Sequence, residues 1–229
     1  MLPKQTGSHT VSDVSSEFGL VIVGAGGHGR ETATSISNQI VGKTPLLLGV
    51  LDDNPETSTE QLLQKMGLRL LGDHTWLRNN NALYVLGIGS PSVRKALDLE
   101  LSNWDREAWT SIHPAASVSE TNRLGDGVVI AQGVVVTTNV DIGRHAHLNV
   151  NSSVSHDSII GPYVTISPGA VICGSCVIEE AAYIGANACV IQGITVGKGA
   201  IVGAGACVIA NVAPGQTVVG VPARPISDR

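Results

Sequence analysis

The chain has few rings and little charge. Phe occurs once, Trp and Tyr three times each, so aromatics make up 3% of the 229 residues. A core centred on aromatic side chains is thereby excluded. Charged residues are 14% of the chain and the net charge is −5, with no basic stripe, which excludes a nucleic-acid-binding surface. No apolar run is long enough to span a membrane. Residues 1–18 are polar and rich in Ser and Thr, lack the apolar stretch of a signal peptide, and are expected to be a disordered leader.

What the chain does have is a period. Every sixth residue from Val118 to Val208 is aliphatic without a miss, through Leu124, Ile130, Val136, Ile142, Leu148, Val154, Ile160, Ile166, Ile172, Ile178, Ile184, Val190, Val196 and Val202. With about a third of positions aliphatic, chance gives on the order of 10⁻⁸ for one register. A period of six fits neither a helix nor a hairpin strand. It fits short strands linked by tight corners, each turn stacking on the last. The residues after the aliphatic ones are mostly small, as at Gly125, Gly143, Gly161 and Gly197, and the fifth hexad position is small or aliphatic, as at Val128, Ala146, Ala170 and Ala188. A narrow interior with crowded corners is implied. The four cysteines, Cys173, Cys176, Cys189 and Cys207, all lie in this array at positions elsewhere held by Ala, Ser or Gly. They are read as small packing residues rather than metal ligands or a redox pair. No metal is expected, and a reducing, cytoplasmic compartment follows.

The hexads resemble the left-handed parallel β-helix of hexapeptide acyltransferases. The resemblance implies triangular coils of three hexads, about five of them over residues 111–213, with 214–229 as a C-terminal tail.

Residues 19–110 read differently. Leu20-Val21-Ile22-Val23 is a buried strand that runs into Gly24-Ala25-Gly26-Gly27-His28-Gly29 and a helix to about Asn38. Further strands at Leu46–Leu51 and Leu83–Ile88 alternate with helices at Thr59–Met66 and Ser92–Leu101, which predicts a parallel α/β sheet. The glycines match the dinucleotide fingerprint, but about 90 residues leave room for only one mononucleotide-binding half. The expected fold is therefore an N-terminal Rossmann-like half domain followed by the β-helix. Its glycine-rich turn would hold a phosphate at a helix N-terminus, with Asp52 and Asp53 at the end of the next strand, where ligands bind in open α/β sheets.

Together with Asp52-Asp53-Asn54, Gly87-Ile88-Gly89-Ser90 and Arg94, His113-Pro114-Ala115, Ser153 to Asp157, and Gly220-Val221-Pro222-Ala223-Arg224, this combination resembles bacterial sugar-nucleotide N-acetyltransferases. That group overlaps the sialic acid O-acetyltransferase family. The resemblance implies a homotrimer in which the small domain grips a nucleotide-sugar (through Gly24, Gly26, Gly27, His28, Gly29, Asp52, Asp53 and Ser90) while the β-helix binds acetyl-CoA.

His156 lies two places after the core residue Val154 and should point outward near a corner, beside Asp157. A neighbouring carboxylate can fix the tautomer of an imidazole and raise its basicity. The resemblance makes His156 the general base, with direct attack of the amine on the thioester. Gly174 stands one coil further on and can offer its N–H to the oxyanion. Asn149 corresponds to a polar residue near the acceptor, or simply caps a corner. The family's second histidine, nine residues after the first, is Thr165 here; His147, one coil earlier, is a candidate substitute. The resemblance also places the coenzyme groove, shared between subunits, along Thr165, Gly174, Gly185, Ala186, Ala204 and Arg224. His113, at the domain joint, reads as structural, and His74 as part of a polar helix start. Acetylation of a sialic acid hydroxyl and a non-catalytic scaffold stand as alternatives. An NAD-dependent enzyme is disfavoured by the half-sized nucleotide domain.

Overall fold

A computed structural model describes residues 19–39 and 44–226; the leader expected at 1–18 lies outside the described residues. The first domain runs β1 (Gly19–Val23), α1 (Gly27–Ser37), β2 (Leu47–Leu51), α2 (Thr59–Lys65), β3 (Leu70–Gly72), α3 (Trp76–Asn79), β4 (Ala82–Leu86) and α4 (Pro91–Ser102). The strands form one parallel sheet in the order β3-β2-β1-β4. β1 is central and is covered on both faces, which explains its unbroken apolar run. The expected helices and the strands at β1, β2 and β4 are present. β3 and α3 are additions, of three and four residues, too short for any period to show.

From Ser111 onward the chain winds as a β-helix. Two-residue strands stack in parallel into three sheets, here named by one outward residue each. The His147 face runs from Ser111–Ile112 through His147–Leu148 and Thr165–Ile166 to Thr217–Val219; the Val171 face from Ser117–Val118 to Cys207–Val208; the Ile159 face from Arg123–Leu124 to Thr195–Val196. The expected aliphatic positions point inward. From Ile130 to Val208 all are buried, and only the first two, Val118 and Leu124, are half-covered. Register partners lie eighteen residues apart, as in His147 with Thr165 and Val154 with Ile172.

A second six-residue rhythm falls on the backbone. From Gly127 to Gly205 every sixth residue has positive φ, including Asn139, His145, Asn151, Asp157, Tyr163, Ser175 and Ala181. L-residues enter this region at a cost of roughly 1–2 kcal/mol each. Corner-to-corner hydrogen bonds offset it, such as Asp157 N–H to the Thr138 carbonyl (3.1 Å) and Ser175 N–H to the His156 carbonyl (2.8 Å).

The ladder continues past residue 213. Thr217–Val219 pairs with Ile201–Val202, and Arg224–Pro225 folds back antiparallel on it. Much of the expected tail thus belongs to the coil. Of the cysteines, only Cys176 is interior. Cys173, Cys189 and Cys207 are half-buried, and the last two are register partners on the outside of the Val171 face.

α4 joins the two domains. The guanidinium of Arg94 is fully buried. It donates to the carbonyls of Ile88 and Gly89 in its own domain, and to those of His145, Tyr163 and Val164 and the Thr165 hydroxyl in the coil, at 2.7–3.2 Å. Burial lowers its pKa to about 9. One turn on, the carboxylate of Asp98 accepts from Arg144 (2.6 and 2.8 Å), His145 (2.9 Å), Tyr84 (3.2 Å) and Tyr163. Lys95 pairs with Glu180 on the same helix face.

Candidate active site

The glycine-rich end of the candidate site lies over the carboxyl ends of β1 and β2. A cleft of about 420 Å³ is walled by Gly24, Gly26, Gly27, His28, Asp52 and Asp53, with Gly87 and Gly89 from the loop after β4. The four glycines of the turn divide the work. A side chain on Gly29 would lie 1.8 Å from the Gly24 carbonyl oxygen, so Gly29 is buried and serves close packing rather than the cleft. Gly24 has φ +107° and faces Gly87. A Cβ on Gly26 or Gly27 would meet nothing among the described residues, and both open onto the cleft. Gly26 caps α1 without a side-chain bond, so first-turn N–H groups face the cavity.

The two aspartates also differ. Asp52 is engaged by backbone: Oδ2 accepts from Ala25 N–H (2.7 Å) and Oδ1 from Asn54 N–H (2.9 Å). Asp53 Oδ1 accepts from the backbone N–H and Nδ1 of His74 (2.9 and 2.7 Å). His74 was read from sequence as part of a helix start. It bridges Asp53 to Glu100 at 3.3 Å and stacks on Trp104. Burial acts to lower its pKa, but hydrogen bonds and charge from Asp53 and Glu100 outweigh it and leave the pKa raised.

A second cleft of about 420 Å³ continues past His28 and Gly89 to Ser90, Asn149, Thr165, Ser167 and Tyr183. A third, of about 220 Å³, lies behind α1 against Ser35, His113 and Gln132. His28 lines all three. Burial, then the charge of Arg94, lowers its pKa to about 4. The amide of Asn149 donates to the Ile166 carbonyl (2.9 Å) and caps the corner, while the residue also walls the second and third clefts. His113, beside the third cleft, accepts at Nδ1 from Ala115 N–H at 3.0 Å.

The Thr165 hydroxyl is held at the domain joint, donating to the Gly89 carbonyl (3.2 Å) and accepting from Arg94 (3.0 Å). His147 is fully buried and bonded to His28.

His156 stands at another corner, where the Val171 face turns into the Ile159 face. Its ring is exposed. Nδ1 lies 2.8 Å from the Asp157 carboxylate, which also accepts from Asn139 (3.3 Å). The hydrogen bonds from His156 and then Asn139 hold the Asp157 pKa below its ordinary value. The imidazole lies over Gly174: a Cβ there would be 2.5 Å from Cε1 and Nε2. Gly185, Ala186 and Ala204 form the opposite corner of the Val171 face, the one that carries Asn149 and Ser167; a Cβ on Gly185 would lie 2.6 Å from the Ala204 nitrogen. From Asn149 to His156 is seven residues, at most about 23 Å of chain. Arg224 is exposed on the terminal strand. Among the described residues no cluster of three His, Cys, Asp or Glu is arranged to hold a metal ion.

A half-sized nucleotide fold docked on a hexad coil that carries an outward His–Asp pair defines a hexapeptide-repeat acyltransferase. Residues 19–98 match the PglD N-terminal domain, and residues 175–210 the hexapeptide repeat of succinyl-transferase. The chain is 37% identical over 212 residues to the GDP-perosamine N-acetyltransferase of Escherichia coli, covering 89% of this chain and 94% of that protein. Among solved structures, it resembles perosamine N-acetyltransferase from Caulobacter crescentus, a histidine-to-asparagine variant in complex with CoA and GDP-perosamine. The TM-score is 0.83 and the identity 29%, with 93% of this chain and 98% of that one covered. The acetyltransferase domain of PglB from Neisseria gonorrhoeae, in complex with acetyl coenzyme A, gives a TM-score of 0.81 at 28% identity over 90% of this chain and 98% of that one. The chain belongs to the PglD-type family of hexapeptide-repeat sugar N-acetyltransferases, and it is an acetyltransferase.

Proposed function

We propose that the protein transfers the acetyl group of acetyl-CoA to the amino group of a nucleotide-linked deoxy-amino sugar of the GDP-perosamine type, with His156 as general base. The observation that carries this reading is the His156 ring, turned by Asp157 and laid over the bare backbone of Gly174. Asp157 accepts a hydrogen bond from Nδ1–H and leaves Nε2 as the proton acceptor. The amine nitrogen attacks the thioester carbonyl, and Nε2 removes its proton. The negative charge that gathers on the carbonyl oxygen is met by the N–H of Gly174, which has no acceptor among the described residues. The tetrahedral adduct expels the coenzyme thiolate, which takes back the proton from His156. No acyl-enzyme is required.

The nucleotide occupies the Gly26–Gly27 and Asp53 cleft, and the sugar extends past His28 toward Ser90 and Asn149. Acetyl-CoA lies along the Gly185–Ala186–Ala204 corner, with Arg224 available to a coenzyme phosphate. His156 lines none of the three clefts described above. One chain therefore places its base and its sugar cleft at opposite corners. The Val171 face between them presents Ser117, Val135, Ser153, Val171, Cys189 and Cys207, a row without charge. Packing that face against its neighbour around a threefold axis brings the base of one subunit to the cleft of the next.

Thiol release from acetyl-CoA with GDP-perosamine as acceptor tests the reading. His156→Ala is expected to lower turnover at least about a hundredfold while acetyl-CoA still binds. Wild-type-like turnover in that variant rejects the base assignment, and no thiol release by the wild type rejects the substrate class.

A further inference from the structure

Two imidazoles meet at the joint of the domains. His28 Nε2 and His147 Nδ1 are 2.8 Å apart, with ring centroids 4.9 Å apart and planes inclined at 34°. One of these nitrogens must carry the hydrogen and the other must offer its lone pair. The far sides of the two rings bear on which. His147 is fully buried, and its Nε2 has no partner among the described residues. Either tautomer leaves that nitrogen unpaired at about 1–3 kcal/mol, but the Glu31 carboxylate, 3.8 Å from the outer nitrogen of His28, favours a hydrogen there and hence a bare Nε2 on His28. The His147 hydrogen therefore belongs on Nδ1, inside the bond. His28 Nε2 accepts it, and the hydrogen of His28 is left on Nδ1. That nitrogen lies 3.8 Å from Glu31 Oε2, and the residue borders all three clefts.

We propose that His147 is a positioning residue: by donating from Nδ1 to His28 Nε2, it makes His28 a directed hydrogen-bond donor, through Nδ1, for an acceptor oxygen of the nucleotide-linked sugar. The ligand in this statement rests on the substrate reading above; the direction of the bond does not. The surroundings keep both rings uncharged. Arg94 faces them from α4, His145 from the coil and Glu31 from α1. Burial and then Arg94 lower the pKa of His28, and burial, Arg94, His28 and His145 hold that of His147 well below its ordinary value. An uncharged donor on a fixed ring selects an oxygen by position, where an imidazolium would attract any phosphate. The oxygen belongs either to the diphosphate or to the sugar.

Two-bond proton–nitrogen correlation spectra of the nitrogen-15-labelled protein report which ring nitrogen bears each hydrogen. The free protein is expected to show His28 bare at Nε2 and protonated at Nδ1, and His147 bare at Nε2, unchanged from about pH 6 to pH 9. A hydrogen on His147 Nε2, or titration of His28 in that range, overturns the proposal. Adding GDP or GDP-perosamine separates the sources. A shift at His28 Nδ1 with GDP alone assigns the diphosphate; a shift only with the sugar nucleotide assigns the sugar. Bound ligand without a shift overturns the donor role. No binding of either ligand refutes the substrate reading instead, and the free-protein spectrum still decides the bond direction. In kinetics, His147→Asn keeps a donor near Nδ1 and should hold KM for the sugar nucleotide within about threefold, whereas His147→Leu should raise it about tenfold or more with KM for acetyl-CoA unchanged. Equal effects on both KM values contradict the assignment, and the spectra remain decisive if the leucine variant does not fold.

Discussion

At residue 174 a missing side chain does as much as the imidazole beside it. A methyl group there would occupy space already held by Cε1 and Nε2 of His156, so Gly174→Ala must push the ring off its seat. The expected outcome is a fold and melting temperature close to wild type, with kcat lowered at least about tenfold and little change in acetyl-CoA affinity. Unchanged kcat would show that ring placement over the glycine is irrelevant. This contact was legible beforehand, because the eighteen-residue register stacks 156 on 174 whatever surrounds them. The commitments of Thr165 and His147 were not. Both are decided by Arg94 and His28 arriving from another domain, and no local period encodes that arrival.

Among the elements, α4 holds the molecule together. Its existence shows in the apolar spacing of Ser92–Leu101, but its docking face does not. Arg94 and Asp98 look like solvent-facing residues to any hydropathy reading, yet both are buried and point into the coil. Burial alone would raise the pKa of the Asp98 carboxyl; hydrogen bonds from His145, Arg144 and Tyr163 hold it far below the usual carboxylate range. Its folded value is below its unfolded one. Its contribution to stability is therefore complete above the ordinary carboxylate pKa and fades only as pH falls toward the folded value. Asp98→Asn should lower stability at neutral pH and move the acid unfolding midpoint upward, followed by circular dichroism. An unchanged acid midpoint would mean that this carboxylate does not anchor the joint.

On the scale of the whole molecule, the proposed sharing of each site between neighbours has a direct consequence for mixtures. Take two inactive proteins, His156→Ala and a variant with the nucleotide cleft blocked at Gly26 by a bulky side chain. Co-expressed at equal amounts, they should form mixed trimers in which about a quarter of the sites draw both intact halves from different chains. Recovered turnover near that fraction supports the shared site; none places the site within one chain. The coil itself could be read directly from its aliphatic and small positions, since a one-residue slip would turn the core outward. Its stopping point could not, because the final strand reverses direction and leaves the period. That reversal has a meaning of its own. A column of parallel strands ends in a row of open amide and carbonyl groups, an invitation to stack end to end into fibres. Arg224–Pro225 lies across the end of the His147 face in the opposite sense and brings a ring nitrogen that has no hydrogen to give. Arg224 and Pro225 thus work as a terminator on that face and keep a self-templating column finite.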